Sequence, residues 1–378
     1  MHEYILQKRG KLRQRKRINN KKNKMKWITS GNEGDDLEKE MLICGKQSIR
    51  FRKAPYIISA ASVVGSKEFA GPLGKRFDFH AEDDLFGGKT WEEAESNMQR
   101  KACILALQKV NMNVSQIRYL YGGDLLRQGI ATSMGTESLQ IPTFGLYGAC
   151  STSGEALALS SMAVAAGYGE AMLAVTSSHF GSAEKEFRFP LGYASQRPLS
   201  AHWTVTGSGA FIVAKDASIS HVRISGVTIG KIVDYGLKDS QNMGACMAPA
   251  AMDTILMNLK DFERQAEDYD RIITGDLGAV GQKLLLDMIY KKGVDLQEKH
   301  LDCGMLIFDA KEQDTHAGGS GCGCAAVTLA SYILPKIEKG EWKRILFVPT
   351  GALMSTVSFN EGASVPGIAH GIVLEHCN

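Results

Sequence analysis

Residues 48–64 alternate between apolar and polar side chains with a period of two, which predicts one or two β-strands. Thr90 then stands before Trp91-Glu-Glu-Ala-Glu, a capping hydroxyl ahead of an acidic first turn, and predicts a helix to about Lys109. The apolar positions Met98, Ala102, Ile104, Leu105 and Leu107 give that helix one buried face. Residues 117–121 read as a short strand ending in Gly122-Gly-Asp, and the apolar stretch 141–147 as another. After it come Gly148-Ala-Cys-Ser-Thr-Ser and an Ala- and Leu-rich run from Glu155, long enough for a helix and closed by Gly167 and Gly169. Residues 171–178 form a strand that ends at His179. Residues 180–203 read as a long connection of aromatic and basic character, and strands follow at 206–213 and 221–227.

The pattern then starts again. A helix is predicted over roughly 245–259, and Arg271-Ile-Ile-Thr-Gly-Asp repeats the earlier Arg118-Tyr-Leu-Tyr-Gly-Gly-Asp. Gly318-Gly-Ser-Gly-Cys-Gly-Cys opens a helix as Gly148-Ala-Cys does, and Arg344-Ile-Leu-Phe-Val matches Ala171-Met-Leu-Ala-Val. His370-Gly-Ile-Val-Leu closes the second half as Gly209-Ala-Phe-Ile-Val closes the first. Two halves with one order of elements are an internal duplication, and short strands alternating with helices make mixed, mostly parallel sheets. Packed helix layer against helix layer, the halves give an α/β body of five layers, αβαβα. The expected division is a basic segment at 1–40 and halves at 41–230 and 231–378. A site is expected between the halves, where the helix after Cys150 meets its counterpart after Cys322.

Composition narrows the class. With 378 residues, 44% hydrophobic and 22% charged, the chain has enough apolar material for two core units. The eight cysteines show no framework spacing, so free thiols in a reducing compartment are expected, and Cys322-Gly-Cys324 is too short for a CxxC pair. No stretch is apolar enough to span a bilayer, so membrane association is expected to be peripheral. Residues 1–26 hold eleven Lys/Arg and one acidic residue, while the rest of the chain is acidic by seven charges. This block reads as a solvated tail or as an upstream start ahead of Met41, and no nucleic-acid partner is assigned to it.

Cys150 carries the most chemistry. At a turn entering a helix, backbone N–H groups and the helix dipole are expected to lower its pKa and to favour anions. An acyl-carrying nucleophile and an anion site are both compatible with that position.

The duplicated architecture with its Gly-Ala-Cys-Ser turn resembles the thiolase and ketoacyl-synthase condensing enzymes. Over about residues 45–376 the chain more closely resembles the stage V sporulation protein AD (SpoVAD) family. The stretches that carry it include Ala70-Gly-Pro-Leu-Gly, Tyr147-Gly-Ala-Cys-Ser-Thr-Ser, Thr176-Ser-Ser-His and Thr204-Val-Thr-Gly-Ser-Gly-Ala. Met247-Ala-Pro-Ala-Ala, Thr274-Gly-Asp-Leu, Ala317-Gly-Gly-Ser-Gly-Cys, Thr350-Gly-Ala-Leu and Ile368-Ala-His-Gly extend it along the body. The resemblance implies a thiolase-like fold turned to binding dipicolinic acid (pyridine-2,6-dicarboxylate) and to its uptake into the developing spore. It implies work beside the SpoVA membrane proteins, peripherally on the forespore or spore inner membrane or in the cytoplasm, and it allows a homodimer.

Condensation needs donors that hold the thioester oxygen as enolate charge develops, usually His and Asn or a second His. The corresponding loops here, at 274–281 and 319–324, offer neither at the matching places. Asp276, if ionised, would oppose an enolate. Losing one such donor costs about 10²–10³ in rate, so no catalytic residue and no cofactor is assigned. For the ligand, Cys150, Ser151 and Thr152 are expected at the pocket wall, and His179 and Arg188 are candidates to meet a carboxylate. Cys322 and Cys324 are expected on the opposite wall. Asp276 suits a dianion only through a bridging cation, so calcium is expected, if anywhere, through the ligand. An acyltransferase using Cys150, and a structural subunit with an empty cleft, are the competing readings.

Overall fold

The computed structural model describes residues 43–187, 196–216 and 218–377. The chain divides into two compact units, residues 1–43 and 44–378, and every element named below belongs to the second. Its first five central strands are β1 (Tyr56–Val64), β2 (Leu120–Gly123), β3 (Thr143–Leu146), β4 (Ala171–Ser178) and β5 (Gly207–Ala214). They lie in the order β3-β2-β4-β5-β1, with β2 parallel to both its neighbours and β5 antiparallel to both of its own.

The next five are β6 (Val222–Thr228), β7 (Arg271–Thr274), β8 (His300–Asp302), β9 (Arg344–Val348) and β10 (Gly371–His376). Their order, β8-β7-β9-β10-β6, and their pairing senses repeat the first set. β6, which lies before the expected division at residue 230, pairs along its length with β10 of the second set. The two sets meet edge to edge, where Arg223 of β6 lies opposite Tyr56 of β1 and Ile224 N donates to Pro55 O at 2.7 Å.

The helices that bear on the cores and the site are α1 (Trp91–Lys109), α2 (Thr152–Ala165), α3 (Phe180–Phe187), α4 (Met243–Asp261), α5 (Gly278–Tyr290) and α6 (Cys322–Thr328). α6 runs on through a π-turn at Leu329–Ile333 into a further helical turn at Leu334–Glu338. α3 occupies part of what the sequence pattern presents as a long connection.

Strand periodicity explains the five layers. On β5, Phe211 and Val213 enter a central core while Ala210, Ile212 and Ala214 enter an outer one with Met98, Ala102 and Ala106 of α1. On β9, Ile345 and Phe347 face that same central core, and Leu346 and Val348 face a second outer core with Met247 and Ile255 of α4. Leu157 and Val164 of α2 and Ala325 and Val327 of α6 fill the centre. Strands buried on both faces are apolar throughout, because each neighbour pair must satisfy two different cores.

α1 begins as its sequence predicts: Glu93 N donates to Thr90 Oγ1 at 3.1 Å. Its buried face differs. Glu95 and Gln99 share it with Met98, Ala102, Cys103 and Ala106, while Ile104 is 36% exposed. Residues 95, 98, 99, 102 and 106 form one helical stripe, and position 104 falls off it. Among the described residues no helix is long and apolar enough to cross a membrane.

Candidate functional site

Cys150 sits between the carboxyl end of β3 and the start of α2, in a turn where Ala149 takes a left-handed φ of 50°. The turn is braced by its own side chains. Ser151 Oγ donates to Gly148 O at 2.7 Å, Thr152 Oγ1 donates to Ala149 O at 2.6 Å, and Gly148 N donates to Thr152 Oγ1 at 3.0 Å. Ser151 and Thr152 thus hold the cysteine in place, with their hydroxyl protons turned into the turn, and Ser151 gives α2 no side-chain cap. Gly351 presses against the same turn: a Cβ there would lie 2.4 Å from Gly148 O and 3.0 Å from Ser151 N.

The second half supplies the opposite wall. Asp276 follows β7, is buried, and accepts from Thr350 Oγ1 at 2.7 Å and from Gly321 N at 3.0 Å. Its carboxyl also stands close enough to the Cys150 thiol for each to shift the other's pKa. Burial pushes Asp276 up to about 7, against the opposing pull of the Gly321 and Thr350 hydrogen bonds and of the Cys150 thiol. Burial also drives the Cys150 thiol well above its ordinary value, with the Asp276 charge and then Cys322 adding to it. The helix start was expected to lower that pKa. Desolvation and a facing carboxyl outweigh the dipole here, because the sulfur is buried and its nearest charged partner is an acid.

Cys322 joins Cys150, Leu125 and Ala183 in one apolar cluster, and its Sγ donates to Ser177 O at 2.8 Å. Cys324 does not belong to that cluster. Two residues further along α6, it faces the central core and reaches Gly275 O at 3.6 Å. Positions i and i+2 lie on opposite sides of a helix, so the two thiols cannot share one wall.

His179 lies elsewhere. Its Nε2 bonds Asp84 O at 2.7 Å, its Nδ1 accepts from Gly181 N at 3.0 Å, and its ring packs 5.4 Å from that of Trp91. Burial lowers its pKa, and with Nδ1 accepting, the proton sits on Nε2. It lines a separate cavity of about 240 Å³ with Lys67, Glu68 and Trp203. Arg188 lies outside the described residues.

A larger cavity, about 1030 Å³, lies beside the cluster around Cys150, but Cys150, Ser151, Thr152, Asp276 and Cys322 do not line it. Leu125 and Phe187 belong both to its lining and to the cluster around Cys150. Tyr147, Thr132, Ser133, Thr356 and Arg127 also face it, and Arg127 Nε pairs with Glu186 at 2.5 Å. Sequence reasoning passed over Arg127, because it stands in a short loop with no motif. It also passed over Asp124 and Glu95. Asp124 Oδ2 accepts from Thr132 Oγ1 at 2.6 Å, Gln99 Nε2 bridges Thr132 Oγ1 and Ser177 Oγ at 2.9 and 2.8 Å, and Ser177 and Ser182 donate to Glu95. This buried chain runs behind Cys322, and burial, then Asp124, push Glu95 up to about 8. The repeat Gly122-Gly-Asp against Thr274-Gly-Asp was the signal for Asp124, since it pairs the two buried aspartates. Among the described residues no group of three or more His, Cys, Asp or Glu is placed to hold a metal ion.

Residues 45–375 match the model of the stage V sporulation protein AD family. The chain is 41% identical over 335 residues to stage V sporulation protein AD of Bacillus subtilis (strain 168), across 89% of this chain and 98% of that one. Among solved structures it is similar to 3-oxoacyl-(acyl-carrier-protein) synthase III from Aquifex aeolicus VF5, with TM-score 0.53, 13% identity and coverage of 85% of this chain and 100% of that one. It is also similar to the tetronic acid condensing enzyme AbyA1, with TM-score 0.56, 16% identity and coverage of 85% and 99%. At such identities these two structures speak for the thiolase-like α/β fold alone.

Proposed function

The chain belongs to the stage V sporulation protein AD family, a family of sporulation proteins, and from that premise we propose that it is a non-catalytic thiolase-fold protein that binds dipicolinic acid. In this reading it hands the diacid on, with the SpoVA membrane proteins, into the developing spore, from a peripheral position on the membrane. One observation supports the loss of catalysis: the Cys150 thiol is buried and faces the Asp276 carboxyl, whose negative charge disfavours a thiolate, rather than a histidine whose cation would stabilise one.

The chemistry runs as follows. A condensing cysteine needs a thiolate and donors for a developing enolate. With Asp276 near 7 and the Cys150 thiol far above it, a rising pH ionises the carboxyl first, and the new negative charge raises the thiol further. The thiolate therefore does not accumulate at neutral pH. A planar diacid asks for less: hydrogen-bond donors, one cation and an apolar wall. In this reading Leu125 and Phe187, which line the cavity, supply the apolar wall, Arg127 at the mouth exchanges Glu186 for one carboxylate, and a ligand that reaches past that wall meets protonated Asp276 with the other. When the ligand arrives as its calcium chelate, an ionised Asp276 serves as a partner for the cation.

The test is a calorimetric titration of dipicolinate into the protein with and without calcium, beside an acyl-thioester turnover assay. Saturable binding without acyl transfer supports the reading. Acyl transfer through Cys150 would replace it with the acyltransferase reading, and neither binding nor transfer with the structural-subunit reading. Calcium enters through Asp276 only if it strengthens binding in the native chain and not in Asp276→Asn.

A further inference from the structure

The end of the sheets opposite Cys150 carries a groove of about 580 Å³ on the seam where β6 meets β1. Among the described residues seven Lys and Arg and one carboxylate, that of Glu375, line it, and Arg223, Arg264 and Arg344 bond that carboxylate. The groove is assembled from distant parts of the chain. Arg50 and Lys53 precede β1, Lys215 follows β5, Arg223 is on β6, Arg264 follows α4, and Arg344 opens β9.

Three of these guanidinium groups share one buried acid. Glu375 Oε1 accepts from Arg344 Nε at 2.6 Å and from Arg264 Nη2 at 3.3 Å, and Oε2 accepts from Arg223 Nη2 at 2.9 Å and Nε at 3.1 Å. Arg264 and Arg344 are held further by Tyr269 Oη and Asp268 O, both at 3.1 Å, which fixes their planes. Glu375 bonds all three guanidinium groups and the Asp268 charge also acts on Arg344, so the three cations still outnumber the acids around them. Lys215 is partnered by Glu170 at 3.3 Å, with both side chains largely exposed. Among the described residues no carboxylate beyond Glu375 lines the groove, while Arg50 and Arg264 both stand over the ring of Phe262, at 5.4 and 5.2 Å.

Fixed guanidinium forks in excess over carboxylates match an anion with several oxygens on one centre. Phosphate is that anion, and buried Phe262 lies under the Arg50 and Arg264 guanidinium groups and supports them. We propose that this groove is a binding site for a phosphate ester, separate from the cysteine pocket and independent of its ligand. The ester comes either from a lipid headgroup or from a soluble molecule, and the same chemistry serves both.

Inorganic pyrophosphate is the first probe, titrated calorimetrically into the full chain. The paired charge reversal Arg50→Glu with Lys53→Glu tests the groove at two exposed positions, and Lys291→Glu with Lys292→Glu on the far end of α5 is the control. Thermal melts show whether each variant is folded, and if the charge reversal melts early, Lys53→Gln alone replaces it. The expected result is saturable pyrophosphate binding, weakened about tenfold or more by the groove variant and unchanged by the control. Sedimentation with phosphatidic acid vesicles then separates the sources. Loss of vesicle binding in the groove variant, with pyrophosphate competing in the native chain, assigns the site to a headgroup. Unchanged vesicle binding beside lost pyrophosphate binding assigns it to a soluble ester. Absence of pyrophosphate binding, or equal binding by all variants, overturns the proposal.

Discussion

The thiol of Cys150, from the first half of the duplicated body, faces the carboxyl of Asp276, from the second. Each follows the carboxyl end of a parallel strand, β3 and β7, although in the repeat β7 matches β2, so Asp276 is the counterpart of Asp124 and not of Cys150. The sulfur is left facing an acid.

Replacing that acid changes the sulfur. Asp276→Asn removes a charge that opposes thiolate formation while keeping a group of the same shape. Alkylation of Cys150 by iodoacetamide at pH 8 is expected to rise on the order of tenfold in the variant. Mass spectrometry of the modified peptide reads the rate, and an unchanged rate would show that burial alone sets the thiol.

Dipicolinate binding is expected to depend on pH through the same carboxyl. Below about 7 Asp276 is protonated and donates to the ligand; above it the residue is charged and repels a dianion. Affinity in calcium-free buffer therefore falls as pH rises through 7. Asp276→Asn flattens the profile, and a profile that stays steep in the variant removes Asp276 from the pocket.

Buried carboxyls make stability fall with pH. The folded-state pKa values of Glu95, at about 8, and Asp276, at about 7, lie above those of unfolded carboxyls, so the folded state holds more protons between roughly 4 and 8. Their contribution is full below the unfolded pKa and is lost as pH rises through 7 to 8. Denaturant melts are expected to show declining stability across that window, with a shallower decline in Glu95→Gln. An identical slope would mean that Glu95 is ionised in the fold.

Gly351→Ala tests the brace under the cysteine turn. A methyl group 2.4 Å from Gly148 O forces the turn to move, at a cost of about 1–3 kcal/mol, and displaces Cys150. Lower melting stability together with weaker dipicolinate binding is expected. Lower stability with native binding would separate the turn from the pocket.

Much of the fold is legible in the chain because strands buried on both faces and helices with glycine stops leave a strong period. α1 runs from Trp91 to Lys109 as Thr90 and its acidic turn announce. The strand at Val222–Thr228 was harder to place, since nothing local in it says which half it pairs with; only its contacts with β10 do. The site was less legible. Position singles out Cys150, but its protonation depends on Asp276, more than a hundred residues later in the chain. Glu95 follows directly on an acidic first turn, Glu92 and Glu93, that reads as helix-dipole compensation, and the burial of Gln99 beside it has no local mark. Ser151 and Thr152 suggested donors because hydroxyls near a helix start often are; in the folded turn they satisfy Gly148 and Ala149.

The central claim is that a pocket built around a disarmed cysteine now holds dipicolinate. Calorimetric titration of the diacid into the native chain and into Cys150→Trp tests it most directly. Saturable binding with one site per chain, abolished by the tryptophan while the melting temperature stays within a few degrees of native, is the predicted result. Equal binding by both proteins would place the diacid away from Cys150 and contradict the account.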